Sequence, residues 1–269
     1  LVVVSQEEVL IETKNLDKIY GTGEESVLAL KDINLEIRRG EFVCVLGPSG
    51  CGKSTLLKTI AGYIEPTNGE CLMQGEQIDG PDWHRGVVFQ SSTLYPWMSV
   101  KDNVEFGPQM RNLPQDEIKK IREHFLEEVN LTGFGNKSTF ELSGGMKQRV
   151  ALARVLANNP QVILMDEPFG ALDALTRNDM QKLIHNIWKE NNSTIFFITH
   201  DVDEALSLAT RVVVMSKRPG EIIREFNVDF TDTLFDDHEK FADDDQRVKY
   251  EDEYFKVKNE ILDIIHNQI

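Results

Sequence analysis

A glycine-rich loop contains the residues of this sequence that are best suited to phosphate chemistry. It consists of Gly47, Pro48, Ser49, Gly50, Cys51, Gly52, Lys53 and Ser54, and Thr55 follows it. The spacing matches G-x-x-x-x-G-K-[ST], in which glycines let backbone N–H groups close around phosphates. In such a loop Lys53 reaches the terminal phosphates and the Ser54 hydroxyl binds Mg²⁺. We therefore predict a nucleotide and Mg²⁺ site here, with no redox role for Cys51.

Two adjacent carboxylates end an apolar run further along the chain. Residues 162–165 are followed by Asp166 and Glu167, and α/β sheets place ligand-binding residues at the carboxyl ends of their strands. Asp166 would hold Mg²⁺ through its water shell, while Glu167 would polarise the water that attacks a γ-phosphate. Taken alone, the segment also fits a solvated strand end.

A predicted helix start forms a second candidate site for an anion. Ser143 would cap a helix that begins with Gly144 and Gly145, and the partial positive charge of a helix N-terminus favours phosphate. An ordinary capped helix explains the same residues, so both interpretations stay open for this segment by itself.

Short apolar runs predict the elements that position these groups. A strand over residues 42–46 precedes the glycine-rich loop, and a helix from Lys53 to about Ala61 follows it, ended by Gly62. Further strands are predicted over residues 162–165, 194–198 and 211–215. An amphipathic helix separates the first two of these strands, and such alternation implies a parallel sheet covered on both faces.

The remaining regions complete the predicted domain organisation. Residues 10–36 and 70–78 show the alternation of antiparallel strands, whereas residues 91–158 lack strand signals and predict a helical insertion. One nucleotide-binding domain is therefore predicted over residues 9–228, and an acidic extension over residues 229–269.

The acidic extension holds 13 acidic and 5 basic residues, a net charge of −8 within a chain whose formal charge is −16. Val248, Phe255 and Leu262 recur every seven residues and predict a terminal helix. The extension is either a solvated tail or a regulatory, partner-binding element.

Net charge, apolar run length and cysteine spacing argue against several classes of protein. The negative charge argues against nucleic-acid binding, which needs a basic face to release counterions. No run approaches the roughly 18 to 20 apolar residues needed to cross a bilayer. The three cysteines, Cys44, Cys51 and Cys71, follow no zinc-ligand spacing and fit a reducing compartment.

In combination, these motifs and the later Thr199-His200-Asp201 resemble the ATPase subunits of ATP-binding-cassette (ABC) transporters. The resemblance covers about Val9 to Phe230. It implies an α/β fold with a P-loop NTPase core of the RecA-like type, an N-terminal antiparallel β subdomain and a helical insertion. It also implies that the chain binds ATP and Mg²⁺ and hydrolyses ATP.

The resemblance assigns roles to further residues. Gln90 would touch Mg²⁺ and sense a membrane partner, His200 would contact the γ-phosphate, and Tyr20 would stack on adenine. Asp173 belongs to a loop that crosses the dimer interface, and Gln148 of the Ser143 motif is grouped with the nucleotide-binding residues. By themselves, His200 also fits a strand-end histidine and Tyr20 a packing role.

The resemblance also implies partners. A second ATPase subunit, a homodimer mate or a paralogue, would complete two ATP sites, each holding Ser143, Gly144 and Gly145 of the opposite subunit. Residues 91–100 would dock a transmembrane permease subunit, although the same aromatic residues also fit a local core. Residues 81–90, 94–98 and 218–222 resemble the nitrate, sulfonate, taurine and bicarbonate importers, which implies a solute-binding protein and a peripheral place on the cytoplasmic face of the membrane.

Two other classes share the nucleotide chemistry. A chromosome-maintenance or repair ATPase normally inserts a long coiled coil between the phosphate loop and the Ser143 motif, and only 87 residues, 56–142, intervene here. A tandem cassette protein acting on ribosomes would carry two phosphate loops and a basic surface. An ABC subunit for another cargo is a further alternative.

Overall fold

The structure, a computed structural model, describes residues 8–231 and 244–267. Its contacts divide the chain into two units, one comprising Leu1–Pro81 and Ile187–Ile269 and the other Asp82–Asn186. The strands are β1 (Val9–Tyr20), β2 (Val27–Arg38), β3 (Phe42–Leu46), β4 (Asn68–Met73), β5 (Glu76–Gln77), β6 (Arg85–Val88), β7 (Val162–Asp166), β8 (Thr194–Ile198), β9 (Arg211–Met215) and β10 (Ile222–Asn227). The helices are α1 (Lys53–Ile60), α2 (Val100–Met110), α3 (Gln115–Glu128), α4 (Gly144–Leu156), α5 (Ala174–Asn191), α6 (Val202–Leu208) and α7 (Asp244–His266).

An antiparallel sheet in the order β2-β1-β4-β5 forms one part of the first unit. Buried and exposed residues alternate along its strands, as predicted. In β2, Ile33, Leu35 and Ile37 are buried and the residues between them are exposed. One face of this sheet therefore packs on the core while the other meets solvent.

The strand that leads into the phosphate loop lies inside a second sheet of the first unit. β3 pairs in parallel with β8 on one side and β9 on the other, and β10 pairs antiparallel with β9. All five residues of β3 are buried, as expected for a strand covered on both faces. β3 therefore holds the phosphate loop from the centre of this sheet, and α1 begins where the loop ends.

The second unit combines a pair of strands with most of the helices. β6 and β7 are parallel, with Arg85 opposite Val162 and Val88 opposite Met165. The region predicted to be a helical insertion contains α2, α3 and α4. α2 begins at a capping box in which Ser99 accepts from the Asp102 N–H and the Asp102 carboxylate accepts from the Ser99 N–H.

The predicted terminal helix is α7, but its buried face differs from the predicted stripe. Phe255 is 55% exposed and Ile261 is fully buried, because the packed face runs through Tyr250, Tyr254 and Ile261, one position before the predicted stripe on the helix. The Val248 side chain and residues 232–243 of the acidic extension lie outside the described part.

α7 is attached to the first unit, so this part of the extension is not a solvated tail. The Tyr250 hydroxyl donates to the Phe230 carbonyl at 3.0 Å, and the ring of Phe230 packs edge-on against Tyr250 and Tyr254. Arg224 of β10 pairs with Glu260 of α7. Within residues 8–231 and 244–267, no helix is both long and apolar enough to cross a bilayer.

Candidate nucleotide-binding and catalytic site

In the first unit, the lysine of the phosphate loop is hydrogen-bonded to the backbone of the same loop. The buried Lys53 Nζ donates to the Gly47 carbonyl at 2.7 Å and to the Pro48 carbonyl at 3.0 Å. These bonds join the first residue of α1 to the start of the loop. They hold the ammonium beside the backbone that would surround a phosphate, and the first turn of α1 contains no acidic residue to oppose an anion.

Glycines are required at two points of this loop. Gly52 has a φ of +115°, and a Cβ there would lie 2.7 Å from Leu30 Cδ2 and 2.9 Å from the Ala29 carbonyl oxygen. Gly50 has a φ of +75° with open space around its Cβ position. The open side at Gly50 leaves room for a ligand to approach the backbone, so the loop fits a nucleotide phosphate.

Cys51 is buried in this loop, and its chemistry supports no redox role. Burial raises the pKa of the Cys51 thiol, against the opposing effect of Lys53. Because the thiolate is the reactive form, a raised pKa keeps this cysteine inert.

Tyr20 ends β1 with its ring 40% exposed. Its hydroxyl donates to Thr55 Oγ1 at 3.4 Å, and Lys18 Nζ lies 5.4 Å from the ring centroid. The structure thus brings the predicted adenine platform beside the helix that follows the phosphate loop. A half-exposed ring leaves a face on which a base can stack.

His200 lies just beyond the carboxyl end of β8. Its side chain is exposed, whereas Thr199 before it is buried. Asp201 caps α6 by accepting from the N–H groups of Asp203 at 2.9 Å and Glu204 at 3.1 Å. His200 is therefore presented outward from a turn between a buried strand and a capped helix.

In the second unit, Asp166 is the last residue of β7 and Glu167 begins the next loop. Glu167 has a φ of +45°, a backbone conformation that costs a non-glycine residue about 1–3 kcal/mol and is concentrated at functional sites. A Cβ at Gly170 would lie 3.1 Å from Gln90 Nε2 and 3.5 Å from the Glu167 carbonyl oxygen. The loop after β7 and the Gln90 side chain are therefore close neighbours.

The Ser143 motif has the predicted helix-cap geometry. Ser143 Oγ accepts from the Met146 N–H at 3.3 Å, and both Ser143 and Gly144 are exposed at the start of α4. Gly145 is buried against Thr176, whose Cγ2 would lie 2.4 Å from a Cβ at that position. The start of α4 is thus open at Gly144, where no atom lies within 4 Å of the Cβ position.

Asp173 is hydrogen-bonded to Thr176, the residue that lies against Gly145. Asp173 accepts from the Thr176 N–H at 3.0 Å and from the Thr176 hydroxyl at 2.7 Å, and these bonds lower the pKa of the Asp173 carboxyl. Sequence reasoning missed Thr176, although the spacing Asp-x-x-Thr at a helix start is a capping signal.

The structure places the Gln148 side chain inside the second unit. Its side chain is 3% exposed and its Nε2 donates to the Phe89 carbonyl at 3.1 Å. The amide therefore holds the backbone of the residue before Gln90 within the second unit. The assignment of Gln148 to the nucleotide-binding residues stays a prediction.

Residues 91–100, here called the docking segment, expose one large aromatic. Trp97 is 76% exposed, and its ring lies 5.6 Å from that of Tyr95, which is 4.7 Å from Phe106. A local core, the alternative interpretation of these aromatics, does not fit Trp97, because its side chain is mostly exposed. Trp97 packs against Tyr95 and Tyr95 against Phe106, so the segment presents an aromatic surface to solvent.

A family model described as ABC transporter matches residues 30–170, more than half of the chain. The chain is 50% identical over 241 residues to the taurine import ATP-binding protein TauB of Roseobacter denitrificans, an alignment that covers 90% of this chain and 88% of that protein. The chain belongs to the ABC transporter family. A second member, the nitrate import ATP-binding protein NrtD of Synechocystis, is 45% identical over 258 residues and is covered at 96% on both sides.

Solved ABC cassettes share the fold. The dimeric, post-hydrolysis structure of the ATP-binding cassette MJ0796 bound to ADP and Pi superposes with a TM-score of 0.72 at 35% identity, covering 82% of this chain and 99% of the other. CbiO1 from Clostridium perfringens, part of the transporter complex cbiONQ, gives 0.73 at 31% identity, covering 87% and 93%. The predicted fold class, a P-loop NTPase core with an antiparallel β subdomain, is confirmed.

Proposed function

We propose that this ATPase of the ABC transporter family energises the import of a small anion or organic solute of the nitrate, sulfonate, taurine or bicarbonate class. The observation that carries the proposal is the match to taurine and nitrate import ATP-binding proteins over nearly the full length of each. These two relatives have different cargoes, so the class of cargo is proposed and no single solute is chosen.

The phosphate loop would bind the triphosphate of ATP. Lys53, already held beside the loop backbone by the Gly47 and Pro48 carbonyls, would neutralise the terminal phosphates. Tyr20 would stack on adenine, since its half-exposed ring adjoins Thr55. The backbone N–H groups of residues 48–55 would complete the cradle at the start of α1.

Three residues offer the oxygen ligands that Mg²⁺ prefers: the Ser54 hydroxyl, the Gln90 amide and the Asp166 carboxylate. Among the described residues, no group of three or more His, Cys, Asp or Glu side chains could hold a metal ion. A site of one carboxylate, neutral oxygens and substrate phosphates is typical of Mg²⁺ in ATPases. When bound, Mg²⁺ neutralises charge on the β- and γ-phosphates.

Hydrolysis would depend on Glu167 and His200. Glu167 would orient and polarise the attacking water. Its position supports this role, since it directly follows Asp166 at the end of β7 and its backbone has a positive φ. His200 would contact the γ-phosphate from its exposed turn, and Gln90 would report the state of this site to the docking segment, which follows it directly.

Two copies of this chain, or this chain and a paralogue, would form the active dimer. The phosphate loop of one subunit and the exposed Ser143 and Gly144 of the other would hold each ATP, as the exposed helix start of α4 suggests. Asp173, fixed by Thr176 beside Gly145, would lie at the subunit boundary. The structure of the cassette MJ0796 as a dimer with ADP and Pi supports this arrangement.

The docking segment would bind a transmembrane permease subunit on the cytoplasmic face of the membrane, where the ATPase is peripheral. An exposed tryptophan on a fixed backbone is a typical anchor for a protein interface. Replacing Tyr95 and Trp97 with alanine should abolish solute transport in reconstituted vesicles and leave the basal ATPase rate within about twofold, since every residue proposed above to bind or hydrolyse ATP is kept. Phe140→Ala, which removes an equally exposed aromatic elsewhere, is the control; unchanged transport by the Tyr95 and Trp97 variant would contradict the docking role.

Cargo and partners can be identified together. The tagged chain, purified from its native membrane, should carry a permease and a solute-binding protein, and the latter should bind an anion or sulfonate in a calorimetric titration. Recovery of the chain with ribosomes or chromosomal proteins would contradict the importer assignment.

A further inference from the structure

A buried hydroxyl and a buried carboxylate lie directly behind the exposed His200. Thr199 is 2% exposed and Glu204 is 7% exposed, while His200, between β8 and α6, is open to solvent. All three belong to the first unit. This turn thus combines an exposed histidine with buried polar side chains close to it in sequence.

The two buried groups fix the backbone on one side of His200. The Thr199 hydroxyl donates to the Glu204 carboxylate in a short hydrogen bond. Because a hydroxyl has a single hydrogen, donating it to Glu204 leaves the hydroxyl lone pairs free to accept. One of them accepts the N–H of Asp201 at 3.0 Å, which clamps the peptide that follows His200.

Asp201 fixes the other end of the same turn. Its carboxylate caps α6 by accepting from the N–H groups of Asp203 and Glu204. Glu204 therefore takes part twice, through its backbone in the cap and through its side chain in the bond to Thr199. This closed set of bonds leaves the residue between Thr199 and Asp201 few backbone conformations.

Stability alone does not explain this arrangement. Burying a carboxylate costs several kcal/mol of desolvation that the fold must recover through its hydrogen bonds. Apolar residues fill the neighbouring buried positions of α6, including Val202, Ala205 and Leu206. A hydrogen-bonded polar pair in apolar surroundings makes the local structure rigid. Here the pair fixes the backbone next to His200.

We propose that Thr199 and Glu204 are positioning residues for His200, holding its imidazole in the direction required by the γ-phosphate. The proposal rests on the role of His200 proposed above. It predicts that the pair affects turnover only through His200, and that it leaves ATP affinity, which the phosphate loop supplies, largely unchanged.

Thr199→Val tests the proposal, since it removes the hydroxyl and keeps the shape, and Thr199→Ser is its matched control. Thr199→Val should lower kcat about tenfold or more, with the KM for ATP within about twofold. Thr199→Ser and Glu204→Gln, which keep a donor and an acceptor respectively, should stay near wild type. In a His200→Ala background, Thr199→Val should cause no further loss.

A second measurement does not depend on residual activity. The imidazole NMR cross-peak of His200, assigned among the six histidines by its absence in His200→Ala, should shift in Thr199→Val and not in Thr199→Ser. The other five cross-peaks should stay in place. General disruption of the fold would move several of them and lower the thermal unfolding midpoint.

These experiments distinguish the catalytic role proposed for His200 from the positioning role proposed for Thr199 and Glu204. Wild-type kcat in His200→Ala would contradict the catalytic role of His200, and this inference with it. A large loss in His200→Ala combined with wild-type kcat and an unshifted His200 cross-peak in Thr199→Val would overturn the positioning role alone. Equal losses from Thr199→Val with and without His200 would overturn it as well.

Discussion

The phosphate loop and the docking segment both follow a parallel strand, but they are held in different ways. The phosphate loop is held by its own residues: the Lys53 ammonium bonds to the Gly47 and Pro48 carbonyls, and Gly52 fits a space that admits no side chain. The docking segment is held by side chains from two helices, α2, which follows it directly, and α4, whose Arg154 lies 61 residues beyond Thr93 in the chain. A loop of the first kind can be recognised from local sequence, and one of the second kind cannot.

The supports of the docking segment come from α2 and α4. The fully buried Asn103 accepts from the Tyr95 N–H at 2.9 Å and donates to the carbonyl groups of Tyr95, Met98 and Ser99. Arg154 donates to the Thr93 carbonyl at 2.9 Å, with its guanidinium 5.1 Å from the centre of the Tyr95 ring. α4, which begins at the Ser143 motif, thus contacts the surface proposed to bind the permease.

The largest effect is expected in the phosphate loop. Gly52→Ala should lower ATP affinity about tenfold to a hundredfold, because strain of about 1–3 kcal/mol at a positive φ adds to contacts that the added methyl would make with Leu30 and Ala29. Fluorescent-nucleotide titration would measure the change.

Gly23→Ala is the matched control for this prediction. Gly23 also has a positive φ, of +65°, but a Cβ there has no neighbour within 4 Å. It should cost some stability without weakening ATP binding. If Gly52→Ala bound ATP as tightly as wild type, the phosphate loop would not be held by its own backbone geometry.

The next effect is expected at Asn103. Asn103→Ala removes the partner of the Tyr95 N–H, and an unsatisfied buried group costs about 1–3 kcal/mol. The free energy of unfolding should fall by this amount, and amide hydrogen exchange at residues 93–99 should become faster, while ATP affinity stays within about twofold. Gln109→Ala, on the same helix at an exposed bond to Glu105, should change neither quantity. Unchanged exchange in Asn103→Ala would show that this side chain does not hold the segment.

The smallest effect is expected where α7 is tied to α6. The Asp203 carboxylate accepts from Lys258 at 2.5 Å and from the Tyr254 hydroxyl at 2.7 Å. Burial raises the pKa of Asp203, but these two hydrogen bonds outweigh it and hold the pKa below its usual value of 3.8. Stabilisation by a carboxylate of lowered pKa is present above the unfolded pKa and is lost as the pH falls through the folded value.

Lys258→Ala should therefore lower the free energy of unfolding by about 0.5 kcal/mol at neutral pH, since the pair is partly exposed. The difference from wild type should shrink as the pH falls below about 4. Lys256→Ala, at an exposed position of the same helix, is the control for the removal of one positive charge. A difference that persists at low pH would mean that Lys258 stabilises α7 by packing and not by its charge.

The same contrast explains which features the sequence predicted. The strand over residues 42–46, the helix after Lys53 and the cap at Ser143 depend on local patterns, and each was predicted close to its observed bounds. The bond from Gln148 to the Phe89 carbonyl joins residues 59 apart in sequence, so no local pattern predicts it.

Tertiary contacts also account for the remaining differences. The exposed Phe255 and the buried Ile261 of α7 are decided by the surface that α7 meets, including Phe230. The link from Thr176 to Asp173 was visible as a capping pattern, but its contact with Gly145 depends on how α4 and α5 approach each other within the second unit. Composition and periodicity carry no information about such pairings.

The central claim is that ATP bound at the phosphate loop is hydrolysed with the help of Glu167. Light scattering of Glu167→Gln in ATP and Mg²⁺, with phosphate release measured in the same sample, tests it most directly. We expect a stable dimer with turnover reduced by about a hundredfold or more, and a monomer when Lys53→Ala is added. Wild-type turnover in Glu167→Gln, or a monomer in saturating ATP, would contradict the account.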